Sequence, residues 1–285
     1  MTISAELPSH AQRAIAEDEI ARYDSDGVVC LRGLFEFGWI EFLREAVEAA
    51  LAAPGADAEE YTAKGASGRF FGDLDLWKRK PAFRHYVMHS PCAEIAGAIM
   101  RSKKINIFYD QLLVKEPQTR ERTPWHQDQP YWAVEGRQVC SVWLPLDIVP
   151  KETCVEFVKG SHHWQAHCPH HFADGTPYRD TGLPELPDID ANRASYDIGS
   201  WALEPGDCLI FQAMIVHGAA GNASSTHRRR ALSTRWTGDD ARYIRRQGEV
   251  AIPRTDPGLP SGAPMDSAAF PIVWLRSGGL LAHLD

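Results

Sequence analysis

The rhythm of hydrophobic and polar positions changes once along the chain, near residue 104. Before it, apolar residues recur mainly three and four apart, the spacing of one helix face. Residues 9–23 carry such a pattern among acidic residues, and Asp24-Ser25-Asp26-Gly27 ends it. Residues 28–31 read as a short buried strand. Ile40, Leu43, Val47 and Leu51 predict a helix over 37–53, which Pro54-Gly55 terminates. Residues 91–100 predict another, with Pro91 in the first turn, where a missing N–H costs little.

Beyond Lys104 the pattern becomes β-branched, aromatic and alternating, with strands expected at 105–115, 138–147, 153–158, 208–217 and 229–236. Turn-forming Gly, Pro, Asn and Asp separate them, and most have no helix between them. The expected fold class is therefore mainly β (α+β), an antiparallel sandwich or jelly roll with N-terminal flanking helices. One domain over 1–285 is the simplest division: a helical flank at 1–104, a core at about 105–240 and a C-terminal segment at 241–285. Residues 167–197, polar and rich in Pro and Asp, read as a surface insertion in that core.

Composition narrows the function classes. With a net charge of −8, a general nucleic-acid surface has an acidic background to overcome. The arginines at 228–230 and at 242, 245 and 246 read for the most part as solvated faces. The six cysteines are scattered with no CxxC pair, the mark of reduced thiols and not of a disulfide framework. The acidic N-terminus lacks the basic start of a signal peptide, and no apolar run reaches the ~20 residues of a membrane span. A cytoplasmic protein with no membrane or nucleic-acid partner is the expectation.

The chemistry concentrates after residue 123. In Thr123-Pro-Trp-His-Gln-Asp128, residues His126 and Asp128 stand two apart, so on a strand imidazole and carboxylate project from one face. A metal held by that pair needs another ligand. His217, at the end of the apolar run from Cys208, supplies a second imidazole. Two imidazoles and one carboxylate on one face of iron(II) leave positions open for a chelating co-substrate and O2. The run Arg228-Arg229-Arg230 comes next, and a planar guanidinium there can grip the far carboxylate of 2-oxoglutarate through two charge-assisted hydrogen bonds.

These stretches resemble the phytanoyl-CoA dioxygenase family of Fe(II)/2-oxoglutarate-dependent oxygenases from about residue 26 to 274. Trp125-His-Gln-Asp-Gln-Pro-Tyr-Trp132, Val155-Glu-Phe-Val-Lys-Gly-Ser-His162, Glu204-Pro-Gly-Asp207, His217-Gly218 and Arg229-Arg-Ala-Leu-Ser233 carry the resemblance. It implies a double-stranded β-helix, with iron(II) on His126, Asp128 and His217 and with 2-oxoglutarate and O2 as co-substrates. Anchored on Arg-Ala-Leu-Ser, the co-substrate arginine falls on Arg229; counted from His217, it falls on Arg228. Anchoring within a strand favours Arg229. The family's pocket tryptophan matches Trp143. One departure is Glu152-Thr-Cys154, where relatives carry a glycine turn. Asp128 stands where halogenases of this kind have a small residue, so the resemblance implies hydroxylation or another two-electron oxidation, such as desaturation, and not halogenation.

A small-molecule substrate is expected to meet Tyr109 and Gln111 before the metal motif and Gln129, Tyr131 and Trp132 within it. Coenzyme A, amino-acid derivatives, betaines, phosphonates and polycyclic natural products all remain open, as does monomer or homodimer. The histidines at 162, 163, 167, 170 and 171 fit no common zinc spacing, and His162 reads as a turn residue. Two other readings stand beside the oxygenase: a cupin-like metalloenzyme that does not use 2-oxoglutarate, and a non-catalytic small-molecule-binding jelly roll. The arginine after His217 weighs against the first and the intact triad against the second.

Overall fold

In the computed structural model, which describes residues 7–62, 64–172 and 174–276 and the backbone of 279–280, the first helix starts later than its spacing predicts. Helix α1 is Glu17–Asp26. Residues 8–12 instead bond to segments further along the chain: Trp39 Nε1 donates to the Pro8 carbonyl and the Gln12 N–H to the Leu34 carbonyl. The helix begins where the Glu19 carboxylate accepts the Ala16 N–H at 2.8 Å, satisfying a donor that a helix start leaves open. It ends at Gly27, whose φ of 79° favours glycine. A Cβ there would lie 2.4 Å from His162 Nδ1, so the turn at His162 is packed directly on this cap.

Strand β1 (Val28–Leu31) and helix α2 (Phe37–Ala52) form as expected. The flank then holds elements that its periodicity does not reveal: β2 (Glu59–Glu60), β3 (Phe70–Leu74), α3 (Leu76–Arg79) and α4 (Pro81–His89), before α5 (Cys92–Ile99). β2, β3 and α3 are each too short for a period to register over their own length, and the helical spacing of α4 amounts to a single set, Phe83, Tyr86 and Val87. Next come β4 (Lys104–Lys115), β5 (Thr123–His126), β6 (Val134–Glu135), β7 (Val139–Pro145), β8 (Val155–Val158) and β9 (Ile198–Gly199). The chain closes with β10 (Cys208–Gln212), β11 (His217–Ala219), β12 (Arg229–Thr237), β13 (Arg242–Tyr243), β14 (Ile272–Leu275) and β15 (Gly279–Leu280). Residues 1–6, in the acidic N-terminus, and 281–285, at the end of the C-terminal segment, lie outside the described residues.

The main sheet has the order β1-β10-β7-β12-β4-β14-β15, with β3 sharing the outer edge of β4. A smaller sheet, β5-β11-β8-β9, belongs with it, and every pairing between these strands is antiparallel. Alternation sorts the side chains. Cys140, Val142 and Leu144 of β7, Cys208 and Ile210 of β10, and Leu232 and Trp236 of β12 enter one core with Trp39, Leu43 and Val47 of α2. Their neighbours Trp143, Leu209, Phe211 and Ala231 join Val155 and Phe157 of the small sheet in another. The molecule is therefore a helix layer on a jelly roll.

Two local features depart from the expected strands. The run 208–217 is not one strand. Gln212 is the last residue in the main sheet, the Ile215 N–H donates to the Gln212 carbonyl at 3.0 Å, and His217 restarts in the small sheet. In β4, Arg235 faces Tyr109 but Trp236 faces Ile107, so Phe108 is an extra residue that bulges the strand. The bulge inverts the alternation, with Ile105 and Ile107 before it and Leu112 and Val114 after it all facing the helices. In the polar stretch 167–197, Ile189 is buried against Val158 and Val216. No helix among the described residues is long and apolar enough to cross a membrane.

Leu232, fully buried at the helix–sheet interface, gives a direct check of that layer. Leu232→Ala is expected to lower unfolding free energy by about 3 kcal/mol in urea titrations, the cost of a cavity in a packed core.

Candidate functional site

The turn after β10 sets the site. It returns the chain as β11 beside β5, and the register places His217 opposite His126. Their ring centroids are 4.2 Å apart. Asp128 does not project from the same strand as His126, as simple alternation implies. Strand β5 ends at His126, and Asp128 has helical dihedrals at the entrance to a single 3-10 turn, Gln129–Tyr131. The turn swings the carboxylate back: Asp128 Oδ1 lies 3.3 Å from His126 Nε2 and 3.9 Å from His217 Nε2. One ligand atom from each of the three residues lies within 4.8 Å of the others.

Backbone carbonyls orient both rings. With Nδ1 protonated, His126 donates to the Pro124 carbonyl at 2.8 Å and His217 to the Ile215 carbonyl at 3.1 Å. Each Nε2 then keeps its lone pair toward the centre. Ser141 donates to Asp128 Oδ2 at 3.3 Å. Burial alone would raise the Asp128 carboxyl, but His217, His126 and Arg235 together hold it well below the usual carboxylate range. Burial, and next the neighbouring His126, push His217 down to about 3. Aspartate charged and His217 neutral is the protonation that a divalent cation requires of its ligands. The donor set is two nitrogens and one oxygen on one side of a point, which fits an octahedral metal with open positions.

A cavity of about 630 Å³ adjoins these residues. Its floor is one face of β12, where Arg229, Ala231, Ser233 and Arg235 alternate inward. The three successive arginines separate by this alternation. Arg228 points out, ion-paired with Glu116 and with Glu48 at 2.6 Å. Arg230 pairs with Asp147 at 2.6 Å and with Glu48. Arg229 turns inward, 7 % exposed, and donates to the Thr153 carbonyl. Among the described residues no carboxylate lies within ion-pair distance of it. Burial pushes its guanidinium down to about 10. The Glu152-Thr-Cys154 departure thus forms a 3-10 turn that presents a carbonyl to Arg229.

The other expected residues divide cleanly. Trp143, Tyr109, Gln111, Tyr131 and Trp132 line the cavity. Gln129 does not: it is buried behind the 3-10 turn and donates to the Gly136 carbonyl at 3.2 Å. Of the five histidines at 162–171, His162 Nε2 donates to the Asp24 carbonyl, while His170 and His171 reach the cavity mouth. There His170 pairs with Glu185 at 2.8 Å, with Cys168 close by.

Several lining residues are not among those the motifs single out. Ser233 and Arg235 were accessible to sequence reasoning, because they continue the period-two face that Arg229 begins. Tyr61, Phe70, Phe172 and Tyr178 were not, since they come from the residue after β2, from the short strand β3 and from the 167–197 stretch. The mouth also carries Glu59, Glu60, Glu249 and Arg254.

The chain matches the family described as phytanoyl-CoA dioxygenase (PhyH) over residues 23–231. It is 22% identical over 229 residues to the ectoine dioxygenase of Sphingopyxis alaskensis, covering 76% of this chain and 74% of that one. Among solved structures, the non-heme alpha-ketoglutarate-dependent carbocyclase SnoK from nogalamycin biosynthesis superposes with a TM-score of 0.71, 21% identity and coverage of 93% and 98%. The epimerase SnoN, solved with Fe3+, alpha-ketoglutarate and nogalamycin RO, gives 0.70, 22%, 90% and 97%. These structural likenesses show the jelly-roll fold with its flanking helices.

Lys115, opposite Arg229 in the register and 1 % exposed, donates to the Glu121 and Ala220 carbonyls at 2.9 Å. Burial first, then the charge of Arg229, pushes its amine down to about 6. Its folded value is depressed below the unfolded one, so its penalty is full below pH 6 and fades as pH rises toward 10.5. The stability of wild type relative to Lys115→Met is therefore expected to rise between pH 6 and pH 9, on the order of 2–4 kcal/mol in urea titrations.

Proposed function

The chain belongs to the phytanoyl-CoA dioxygenase family, and from that premise we propose that it hydroxylates an unactivated C–H bond of a small molecule, with release of succinate and CO2. It is an iron(II)- and 2-oxoglutarate-dependent dioxygenase, with O2 as the further co-substrate. One observation carries the assignment of residues. A His/Asp/His cluster and a buried arginine without a carboxylate partner among the described residues share one cavity.

In this reading His126, Asp128 and His217 are the three metal ligands and Arg229 binds the distal carboxylate of 2-oxoglutarate. Iron(II) with 2-oxoglutarate and O2 supplies the oxidising chemistry. The chain's own residues supply placement. The Pro124 and Ile215 carbonyls hold the imidazoles with Nε2 inward, and Ser141 holds one carboxylate oxygen so that the other faces both rings. A rigid ligand set loses little entropy on binding. Arg229, fixed at one edge by Thr153, keeps donors for a carboxylate in a place where water competes poorly. Trp143, Phe211 and Ala231 form apolar wall around that end. Arg228, paired outside the cavity, takes no part.

Tyr109, Tyr131 and Trp132 then give the substrate its aromatic walls, with Phe172 and Tyr178 at the mouth. A cavity of this size exceeds what a five-carbon diacid fills. We assign the remaining space to a ring-containing molecule, in keeping with structural relatives named for nogalamycin biosynthesis.

The test is succinate formation from 2-oxoglutarate by anaerobically prepared protein given Fe(II), ascorbate and O2. Turnover is expected to need both iron and 2-oxoglutarate and to disappear in Asp128→Ala. Full turnover in that variant sinks the ligand assignment. Arg229→Ala is expected to raise the 2-oxoglutarate concentration for half-maximal rate at least about tenfold. Arg228→Ala should leave it within about twofold. The reverse order moves the co-substrate to Arg228.

A further inference from the structure

Arg235 is a second buried arginine on the cavity face of β12, 4 % exposed and six residues beyond Arg229. Its place is set by the bulge at Phe108, which puts it opposite Tyr109 and beside Gln111. One guanidinium nitrogen donates to the Ser233 carbonyl at 2.9 Å and another to Gln111 Oε1 at 2.9 Å. The group lies 4.7 Å from the centre of the Tyr109 ring. Its Nε is buried and meets no acceptor among the described residues. Asp128 and Asp110 feel its charge, yet among the described residues no carboxylate comes within ion-pair distance. A guanidinium has five N–H groups and holds its charge throughout the physiological range. Burying that charge with neutral acceptors and a ring alone is costly, and a buried charge is ordinarily paired.

The charges of the loaded site sharpen this point. A divalent metal and Asp128 leave one positive charge. Arg229 and Arg235 add two, and dianionic 2-oxoglutarate removes two. Lys115 adds none near neutrality, since its buried amine is then uncharged. At the mouth, Glu60 pairs with Arg69 at 2.8 Å and Glu59 with Arg254 at 2.7 Å, while Glu249 lies 3.4 Å from His171, and among the described residues none of the three comes within ion-pair distance of Arg235. One positive charge is left over on the substrate side, where Arg235, Gln111, Tyr109 and Trp132 converge.

We propose that Arg235 is a specificity-determining residue that binds an anionic oxygen group, a carboxylate or its equivalent, on the ring-containing substrate. The proposal rests on the oxygenase reading above and deepens it. The competing role is mechanical, a strut between β12 and β4.

The test compares 2-naphthoate with 2-naphthamide, a matched pair of similar size that differs in charge. Binding to the anaerobic Fe(II)- and 2-oxoglutarate-loaded protein is followed by tryptophan fluorescence. Wild type is expected to bind naphthoate about tenfold tighter than the amide. Arg235→Gln should reduce that preference to about twofold or less, and Arg235→Lys should keep part of it. Binding of 2-oxoglutarate, measured in the same samples, should be unchanged in both variants. Equal binding of the two probes, no binding of either, or a preference that survives in Arg235→Gln overturns the proposal. A variant that loses 2-oxoglutarate as well assigns Arg235 to the strut. Failure of wild type to bind 2-oxoglutarate at all counts instead against the oxygenase reading, which keeps the two failures apart.

Discussion

Charge held out of water governs this molecule. Asp128, Arg229 and Arg235 are all nearly buried, and they lie along one cavity with two imidazoles between walls of Trp143, Phe211, Tyr109 and Trp132. Groups so desolvated keep their charges only if each finds a partner, and the protein supplies several itself. Two imidazoles and Ser141 surround Asp128, a backbone carbonyl takes one edge of Arg229, and Gln111 and a ring attend Arg235. A cation, a dicarboxylate and a further anion would complete the groups that remain unmatched.

The rest of the fold keeps that arrangement in place. Helix α2 and its neighbours cover the outer face of the main sheet, so strands β7, β10 and β12 bury apolar residues on one side and are free to present polar ones on the other. The small sheet then needs few residues. Its inner strand β11 consists of His217–Ala219 between β5 and β8, and its register sets His217 against His126. Two interruptions of regular structure are as important as the strands. The turn after Gln212 moves the chain between sheets, and the extra residue at Phe108 turns Tyr109 and Gln111 toward the cavity.

Much of this was legible in the sequence. Long elements showed themselves by period, as in α2 and β12, strand after strand without helices between gave a sandwich or jelly roll, and the family resemblance pointed to the jelly roll. The residues of the His/Asp/His cluster were legible too, less from an imidazole and a carboxylate two apart and a histidine ending an apolar run than from the neighbouring motifs that place them in the family pattern. The means by which they meet was not. Alternation put His126 and Asp128 on one strand, whereas a 3-10 turn opened by Asp128 and containing Pro130 brings them together. Apolar continuity made 208–217 a single strand, since Ala213-Met-Ile-Val216 is as hydrophobic as the residues before it and only the backbone bonds of Gln212 show the turn. Gln129 illustrates the same limit, for the residue next to Asp128 turns away from the cavity and bonds to the Gly136 carbonyl. Tyr61 and Phe172 reach the cavity from distant segments whose approach no local pattern encodes.

The central claim, that His126, Asp128 and His217 hold iron(II) open to a 2-oxo acid gripped by Arg229, is tested most directly by optical titration without oxygen. A 2-oxo acid chelated to iron(II) gives a visible charge-transfer absorption that neither component has alone. Adding Fe(II) to protein with excess 2-oxoglutarate should develop that absorption and saturate at about one metal per chain, as a single facial site requires. The band should vanish in Asp128→Ala, with the fold intact by circular dichroism. Absence of the band in wild type, or its persistence at full strength in Asp128→Ala, would contradict the account.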